Sequence, residues 1–425
     1  MKRLLTAVLL LTICLHITAQ APITVYTPDH YTILTGTQYR LDGLIVFDRI
    51  SAGAQLNYTG TGNIQWSYSV GSDTYTSTLP SVDAYPNTLY TIKINGTPRY
   101  HVYTIDYSEF PSTYQAINII EDPQTVCESL NLEILCDITP IYYIDSLGQR
   151  TFLPRSFTLQ YTTSAWDGTS WNDSLAITTL TPSSSPITTT VAAPLKNTNF
   201  EFFGDDISEQ LGIPADTLVS DLYIAKAVKI HPKGEVIERN AKNEKDRTTQ
   251  NSIAGSSPLV VQFTANASPA DNLYYEWIIY KTTNPELYQR YSEPEVNYTF
   301  KESGDYIARI RVNGEFCSAS DSLNIKAHDS FIDVPNVFTP NGDGINDEFR
   351  VAYKSLKSFD IWIYNRWGRL VYHSTDPGAG WDGTINGRPA AAGTYYYIIN
   401  AYGSDYDNKN KPMHYRLSGD CNLLR

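Results

Sequence analysis

An all-β chain of tandem β-sandwich domains is predicted by three features of the sequence. Tyrosine (32 residues) and threonine suit a pleated, half-buried surface, glycine (25) and proline (23) supply turns, and short segments alternate apolar with polar residues. At 425 residues the chain exceeds what one core organises, so three or four domains are expected. The net charge of -13 argues against a nucleic-acid partner, since phosphate binding needs a basic stripe and none is visible.

The chain opens with a targeting segment. Lys2 and Arg3 form a basic n-region, Leu4 to Ile17 an apolar stretch, and Ala19-Gln20-Ala21 a small-residue cleavage site, so residues 1–21 read as a signal peptide. The apolar run is broken by Thr6, Thr12 and His16, and no later run reaches about 18 apolar residues, so an integral membrane protein is not expected. Cys14 invites a lipid-attachment reading, against which Ile13 stands where a small residue is needed. Export leaves Cys127, Cys136, Cys317 and Cys421 where disulfides persist. Cys127 and Cys136 are close in sequence, which gives two readings: a bridge closing Glu128 to Leu135, or two buried thiols. No CxxC pair or His/Cys cluster suggests zinc.

Residues 22–110 read as an immunoglobulin-like sandwich with strands over Tyr39 to Phe47, Ile64 to Val70, Leu89 to Ile94 and Tyr100 to Ile105. Asn95-Gly96 is a hairpin turn between the last two, and Trp66 is the expected core aromatic. Residues 111–252 read as a second β domain with a linker. Its expected strands include Phe157 to Tyr161 and Ala225 to Ile230, with short helices over Ile207 to Leu211 and Thr217 to Tyr223. The charged stretch Glu238 to Arg247 lacks apolar periodicity and is expected to be an exposed loop.

Residues 256–327 carry Pro258 to Ala265, then Tyr275-Glu276-Trp277, then Tyr298-Thr299-Phe300 with Gly304-Asp305-Tyr306. In these blocks the segment resembles the polycystic kidney disease (PKD) type of immunoglobulin-like repeat, which implies a sandwich with Val261, Phe263, Ala265 and Trp277 inward. The Gly-Asp-Gly turn usual after that tryptophan is replaced by Ile278-Ile279-Tyr280-Lys281.

Residues 330–425 hold the most specific signals. They are Val334 to Asp347, including Asn341, Gly342, Asp343, Gly344, Asn346 and Asp347; Ile363-Tyr364-Asn365-Arg366-Trp367-Gly368; Gly380-Trp381-Asp382-Gly383; and Ala392-Gly393-Thr394-Tyr395-Tyr396-Tyr397. Phe359, Ile361 and Ile363 alternate with polar neighbours as a half-buried strand, and Asn365 to Gly368 turns it into a partner strand. In order and spacing these blocks resemble the gliding motility-associated C-terminal domain, the type B sorting module of the type IX secretion system of Bacteroidota. The chain also ends as that family does, with Gly419, Leu423, Leu424 and Arg425, while Cys421 and Asn422 depart from the family's apolar-polar pair. The resemblance implies a β-sandwich sorting domain with an accessible last strand, and the type IX secretion machinery as partner. It also implies passage from the periplasm to the cell surface or the extracellular space.

The loop from Asn341 to Asp347 sets oxygen side chains around glycines, so Asn341, Asp343, Asn346 and Asp347 are candidate calcium ligands; the alternative is a turn capped by its own Asn and Asp side chains. No other cofactor is called for. The chain has no HExxH, GxSxG or Gly-rich phosphate loop, and its histidines are dispersed, so an enzyme is not expected. The adjacent acids Asp205-Asp206 read as solvated. Trp166 and Trp171 flank a turn, and a core hairpin competes with a sugar-stacking pair as the reading. Four triplets, at Asp145, Asp173, Asp216 and Asp321, resemble a short O-glycosylation signal. Three functions follow in order: a surface adhesion or structural protein that meets glycans or other surface proteins, a glycan-binding module, and a hydrolase with its site in 111–252.

Overall fold

The computed structural model describes residues 21–182, 184–239, 241–248 and 252–425. The signal-peptide reading for residues 1–20, with Cys14, lies outside the described residues. The chain is almost wholly β and divides into two compact units, the first drawn from residues 1–163, 173–193 and 197–224, the second from 164–172, 194–196 and 225–425.

The first unit holds two sandwiches. One packs a three-stranded sheet (Ile23–Tyr26, Gln55–Tyr58, Ser81–Asp83) on a six-stranded sheet that includes Gly43–Phe47, Ile64–Val70, Thr88–Ile94 and Thr97–Asp106. Trp66 is fully buried at its centre, and its indole N–H donates to the Leu79 carbonyl at 3.0 Å. Asn95 and Gly96 both take positive φ, as the predicted hairpin requires. Of the predicted Tyr39 to Phe47 strand, only Gly43–Phe47 forms, and Thr37–Tyr39 makes a 3-10 turn instead.

In the second sandwich, Ser112–Ile120, Ser129–Ile138 and Ile187–Ala192 face a sheet containing Phe157–Trp166 and Phe200–Phe203. Phe157 and Phe202 stack at 5.4 Å in its core. The predicted helix at Ile207 forms as α1 (Asp206–Gln210). The one at Thr217 does not: Thr217–Val219, β-branched at both ends, is a strand paired with Glu201–Phe203. Nor is Ala225 to Ile230 a strand, because Ala227 and Val228 are buried side by side and break the period-two face.

Cys136 is a buried free thiol, so the Cys127–Cys136 bridge does not exist. Strand Ser129–Ile138 runs extended between the two positions and separates them by roughly 25 Å at about 3.3 Å per residue, far beyond disulfide reach.

A buried ion pair joins the two sandwiches of this unit. Arg155 donates from Nη1 to the carbonyls of Phe110 (3.0 Å) and Thr139 (2.9 Å), from Nη2 to Tyr107 Oη (2.9 Å) and Ser112 Oγ (2.7 Å), and from Nε to the Asp205 carboxylate. All five guanidinium N–H bonds are thereby satisfied. Asp205 caps α1 by accepting from the Ser208 amide at 2.7 Å and is buried, contrary to the solvated reading. Burial raises the Tyr107 phenol to about 12, so it remains a neutral donor to Asp205 at 3.1 Å.

In the second unit, the third sandwich sets Lys233–Val236, Leu259–Thr264 and Glu295–Phe300 against a five-stranded sheet. Val261, Phe263, Ala265 and Trp277 are buried as expected, and Tyr306 Oη donates to the Glu302 carbonyl at 2.9 Å, fixing the Gly-Asp-Tyr corner.

The fourth sandwich is built on a sheet of β1 (Val337–Phe338), β2 (Leu356–Tyr364), β3 (Leu370–Ser374), β4 (Gly393–Tyr406) and β5 (Pro412–Leu423), in the order β1-β5-β4-β2-β3. Its core gathers Phe338, Phe349, Phe359, Ile361, Ile363, Trp381, Tyr395, Ile399, Cys421 and Leu423.

The third and fourth sandwiches meet through buried serines. Ser355 takes positive φ, receives the Ser257 amide on Oγ at 2.9 Å and donates its own amide to Ser256 Oγ at 2.6 Å. The charged stretch after Glu238 is a largely exposed loop, as expected, but it docks here through Glu244. Glu244 is buried, ion-paired to Arg239 and bonded to Ser256 Oγ at 2.6 Å, while the Lys245 amide donates to the Tyr353 carbonyl at 2.7 Å. Backbone pairing and a buried ion pair hold this segment without any apolar stripe.

Arg155→Ala, which strands Asp205 without its counter-charge, is expected to cost about 3–5 kcal/mol in chemical denaturation of the full chain. A loss below about 1 kcal/mol would show the pair to be dispensable.

Candidate functional site in the terminal sandwich

The last strand is not a free end. β5 lies between β4, with Gly393 opposite Leu423, and β1, which runs parallel to it with Val337 opposite Asn422 and Phe338 opposite Leu423. The Asn422 amide donates to Asn336 O at 2.9 Å and the Leu424 amide to Phe338 O at 3.1 Å. Leu423 is fully buried, so the accessible Leu-Leu-Arg end implied by the resemblance is corrected at that residue: of the three, Leu424 and Arg425 are exposed, beside the outward Arg416, Ser418 and Asp420 of the strand, and Arg425 Nη2 donates to the Gly383 carbonyl at 3.0 Å. Cys421 keeps the alternation by filling the apolar position, and burial pushes its thiol up to about 12, while Asn422 faces outward and accepts from Thr394 Oγ1 at 2.9 Å. At Gly419 a Cβ would meet Tyr397 Oη at 2.5 Å, so a larger residue there would require that ring to shift.

The remaining motif residues divide into those that build the fold and those that face solvent. Asn365 Oδ1 accepts the amides of Trp367 and Arg369, each at 3.0 Å, and Gly368 supplies the positive φ (74°) that closes this turn. Trp381 is buried and donates Nε1–H to the Thr384 carbonyl at 2.8 Å, with Asp382 Oδ1 holding the Thr384 amide at 2.9 Å. Tyr395 is buried and donates to the Ala391 carbonyl at 2.8 Å. Trp367 is different: its ring is 75% exposed, with the Arg366 guanidinium 4.3 Å from its centroid.

The loop from Asn341 to Asp347 is organised by its own acids. Asp347 Oδ1 accepts the amides of Asn341 (3.0 Å) and Gly342 (2.7 Å), and Oδ2 that of Gly344 (2.8 Å). Asp343 Oδ1 accepts Ile345 N at 2.8 Å, and Asn341 Oδ1 accepts Asp343 N at 3.1 Å. Asn346 sits at positive φ and contributes its carbonyl to Thr339 N at 2.8 Å. Bonds from the Gly342 and Gly344 amides hold the Asp347 carboxyl below the usual aspartate range. These oxygens face amide donors, and among the described residues no group of three or more His, Cys, Asp or Glu side chains is placed to hold a metal. The bonds formed are those of a turn capped by its own Asn and Asp side chains.

Trp166 and Trp171 are neither core residues nor an open pair. Both are half-buried, their centroids are 5.6 Å apart, and both rings contact His231, Trp166 stacking on it at 4.9 Å. Trp171 Nε1 also donates to Asn266 O at 3.0 Å. Between 111 and 252, each buried carboxylate among the described residues faces an arginine: Asp145 with Arg40 at 3.6 Å, Asp205 with Arg155, and Glu244 with Arg239.

A terminal sandwich closed by its own last strand, behind further β-sandwiches, defines a modular all-β protein. Residues 332–415 match the CHU_C Type IX secretion signal domain and residues 119–220 a Fibronectin type III domain. The chain therefore carries a type IX secretion signal domain preceded by a fibronectin type III domain, which directs it to the cell surface or the extracellular space. No curated protein matches the chain. Solved structures similar to it include a tetra-tandem repeat from the extending region of a large adhesion protein (10% identity, TM-score 0.22, covering 90% of this chain and 98% of that one). Others are three N-terminal domains of the bacteriophage RB49 Hoc protein (14%, 0.21, 74% and 98%) and chicken CNTN1 FN1-FN3 domains (11%, 0.23, 73% and 99%). Overlays of that quality carry no functional information. No helix among the described residues is long and apolar enough to cross a membrane.

Because the Asp347 carboxyl is depressed in the folded loop, its contribution is complete above the ordinary aspartate range and is lost as pH falls through the folded value. Asp347→Ala is expected to raise amide exchange at Gly342 and Gly344 by about tenfold at neutral pH. Saturating calcium is expected to leave exchange in the unaltered loop unchanged, and calcium-dependent protection would restore the cation reading.

Proposed function

We propose that this chain is a surface-displayed adhesion or structural protein whose terminal sandwich hands it to the type IX secretion machinery, the preceding sandwiches being its passenger. The supporting observation is a self-completed fold over the residues that match the secretion signal domain, with its polar turns and last two residues left outside the core. Between 111 and 252 the buried carboxylates among the described residues are each paired with an arginine, an arrangement suited to joining domains and unsuited to proton transfer. Removal of residues 330–425 in the native host is expected to abolish surface exposure, measured by fractionation and by protease treatment of intact cells. Unchanged display would overturn this function.

Glycan binding is the second reading, favoured by the stacked Trp166–His231 pair at the tip of the hairpin joining Phe157–Trp166 to Trp171–Leu180. It predicts signals on a glycan array that fall at least about tenfold in Trp166→Ala. An array without signal, or one indifferent to Trp166 and Trp171, removes it.

A further inference from the structure

Topology brings the separate motif blocks of the terminal sandwich to one pole. Tyr364, at the end of β2, lies opposite Tyr396 near the start of β4, and Gly393 lies opposite Leu423 at the end of β5. Parallel pairing of β1 with β5 sends the chain beyond Phe338 into the Asn341–Asp347 loop at the same end. Gly383 packs against both strands: a Cβ there would approach Leu423 (3.0 Å), Pro340 (3.1 Å) and Phe338 (3.3 Å). Tyr396 pairs with Tyr364 on one side and with Asp420 on the other, which carries the Asn-Arg-Trp-Gly turn to the end of the sheet where β5 finishes.

Large apolar side chains exposed at this pole include Trp367 at 75%, Ile345 at 66%, Leu424 at 51%, Tyr396 at 50% and Leu370 at 47%. Folding accounts for Asn365, Gly368, Trp381 and Leu423, but it gains nothing from an exposed tryptophan ring. Arg366, Arg369 and Arg425 are exposed at this end of the domain, and so are Asp343, Asp382 and Asp420. An exposed tryptophan backed by an arginine, on a surface that carries both signs of charge, matches a protein-binding hot spot, whereas an anionic lipid sheet would be repelled by the acids.

We infer that this pole is a docking surface for a protein of the export machinery, with Trp367 as its anchor. The inference rests on the sorting role proposed above and locates the contact on a composite surface, not on the pinned last strand.

The test uses the full chain in the native host, comparing surface-accessible protein in four forms: unaltered, truncated after Asp329, Trp367→Ala, and Lys409→Ala. Lys409 lies in the β4–β5 turn at the opposite pole. Trp367→Ala is expected to reduce surface protein by about tenfold or more, with the thermal midpoint of the purified chain unchanged, while Lys409→Ala is displayed normally. Loss in the truncated chain with normal display of Trp367→Ala would overturn the inference and leave the sorting role standing. Normal display of the truncated chain would overturn both. A fall in thermal midpoint, an equal loss in Lys409→Ala, or Trp367-dependent binding of the purified chain to phosphatidylglycerol vesicles would each overturn the docking assignment.

Discussion

The architecture of the terminal sandwich depends on one constraint, the insertion of its last strand between β1 and β4. Leu423 and Cys421 fill the core, and parallel bonds to residues 336–338 fix the register to the residue. A one-residue slip would turn Asn422 inward and Leu423 outward, so the fold tolerates only the register seen. That register sets which side chains remain outside. With Leu423 committed to the interior, whatever reads this domain from solution meets the turns around the terminus and its final two residues.

Buried polar junctions play the corresponding role elsewhere. Arg155 satisfies five acceptors drawn from both sandwiches of the first unit, and Ser355 exchanges bonds with Ser256 and Ser257 across the third and fourth. Apolar packing alone is non-directional and would leave these junctions free to slide; a guanidinium needing five acceptors, or a serine held at positive φ, is compatible with one geometry. Within each unit the sandwiches are thus joined by directional contacts.

Much of this was legible from local patterning. Alternation placed Trp66, Val261, Phe263, Trp277 and Ile363 in cores, and Asn-Gly and Asn-x-x-Gly marked two hairpins. What escaped was decided by tertiary partners. Thr217–Val219 became a strand because Glu201–Phe203 offered an edge, and Cys136 stayed free because the strand that buries it carries it away from Cys127. Glu244 gave no apolar signal, since an arginine and a serine hold it in place. At the candidate site the sequence supplied every motif residue. It did not show which were structural, nor that Val337–Phe338 would pair alongside the last strand; both follow from pairing over long separations.

The parallel pairing of β1 with β5 also bears on mechanical load. Chain enters β1 at its beginning and leaves β5 at its end, so tension between the passenger and Arg425 pulls the two strands along their length in opposite directions. Bonds such as Asn422 to Asn336 and Leu424 to Phe338 are then strained together in shear, whereas a hairpin pulled from its open end parts one bond at a time. In the surface-displayed protein proposed above, tension between passenger and terminus would load this sheet in shear.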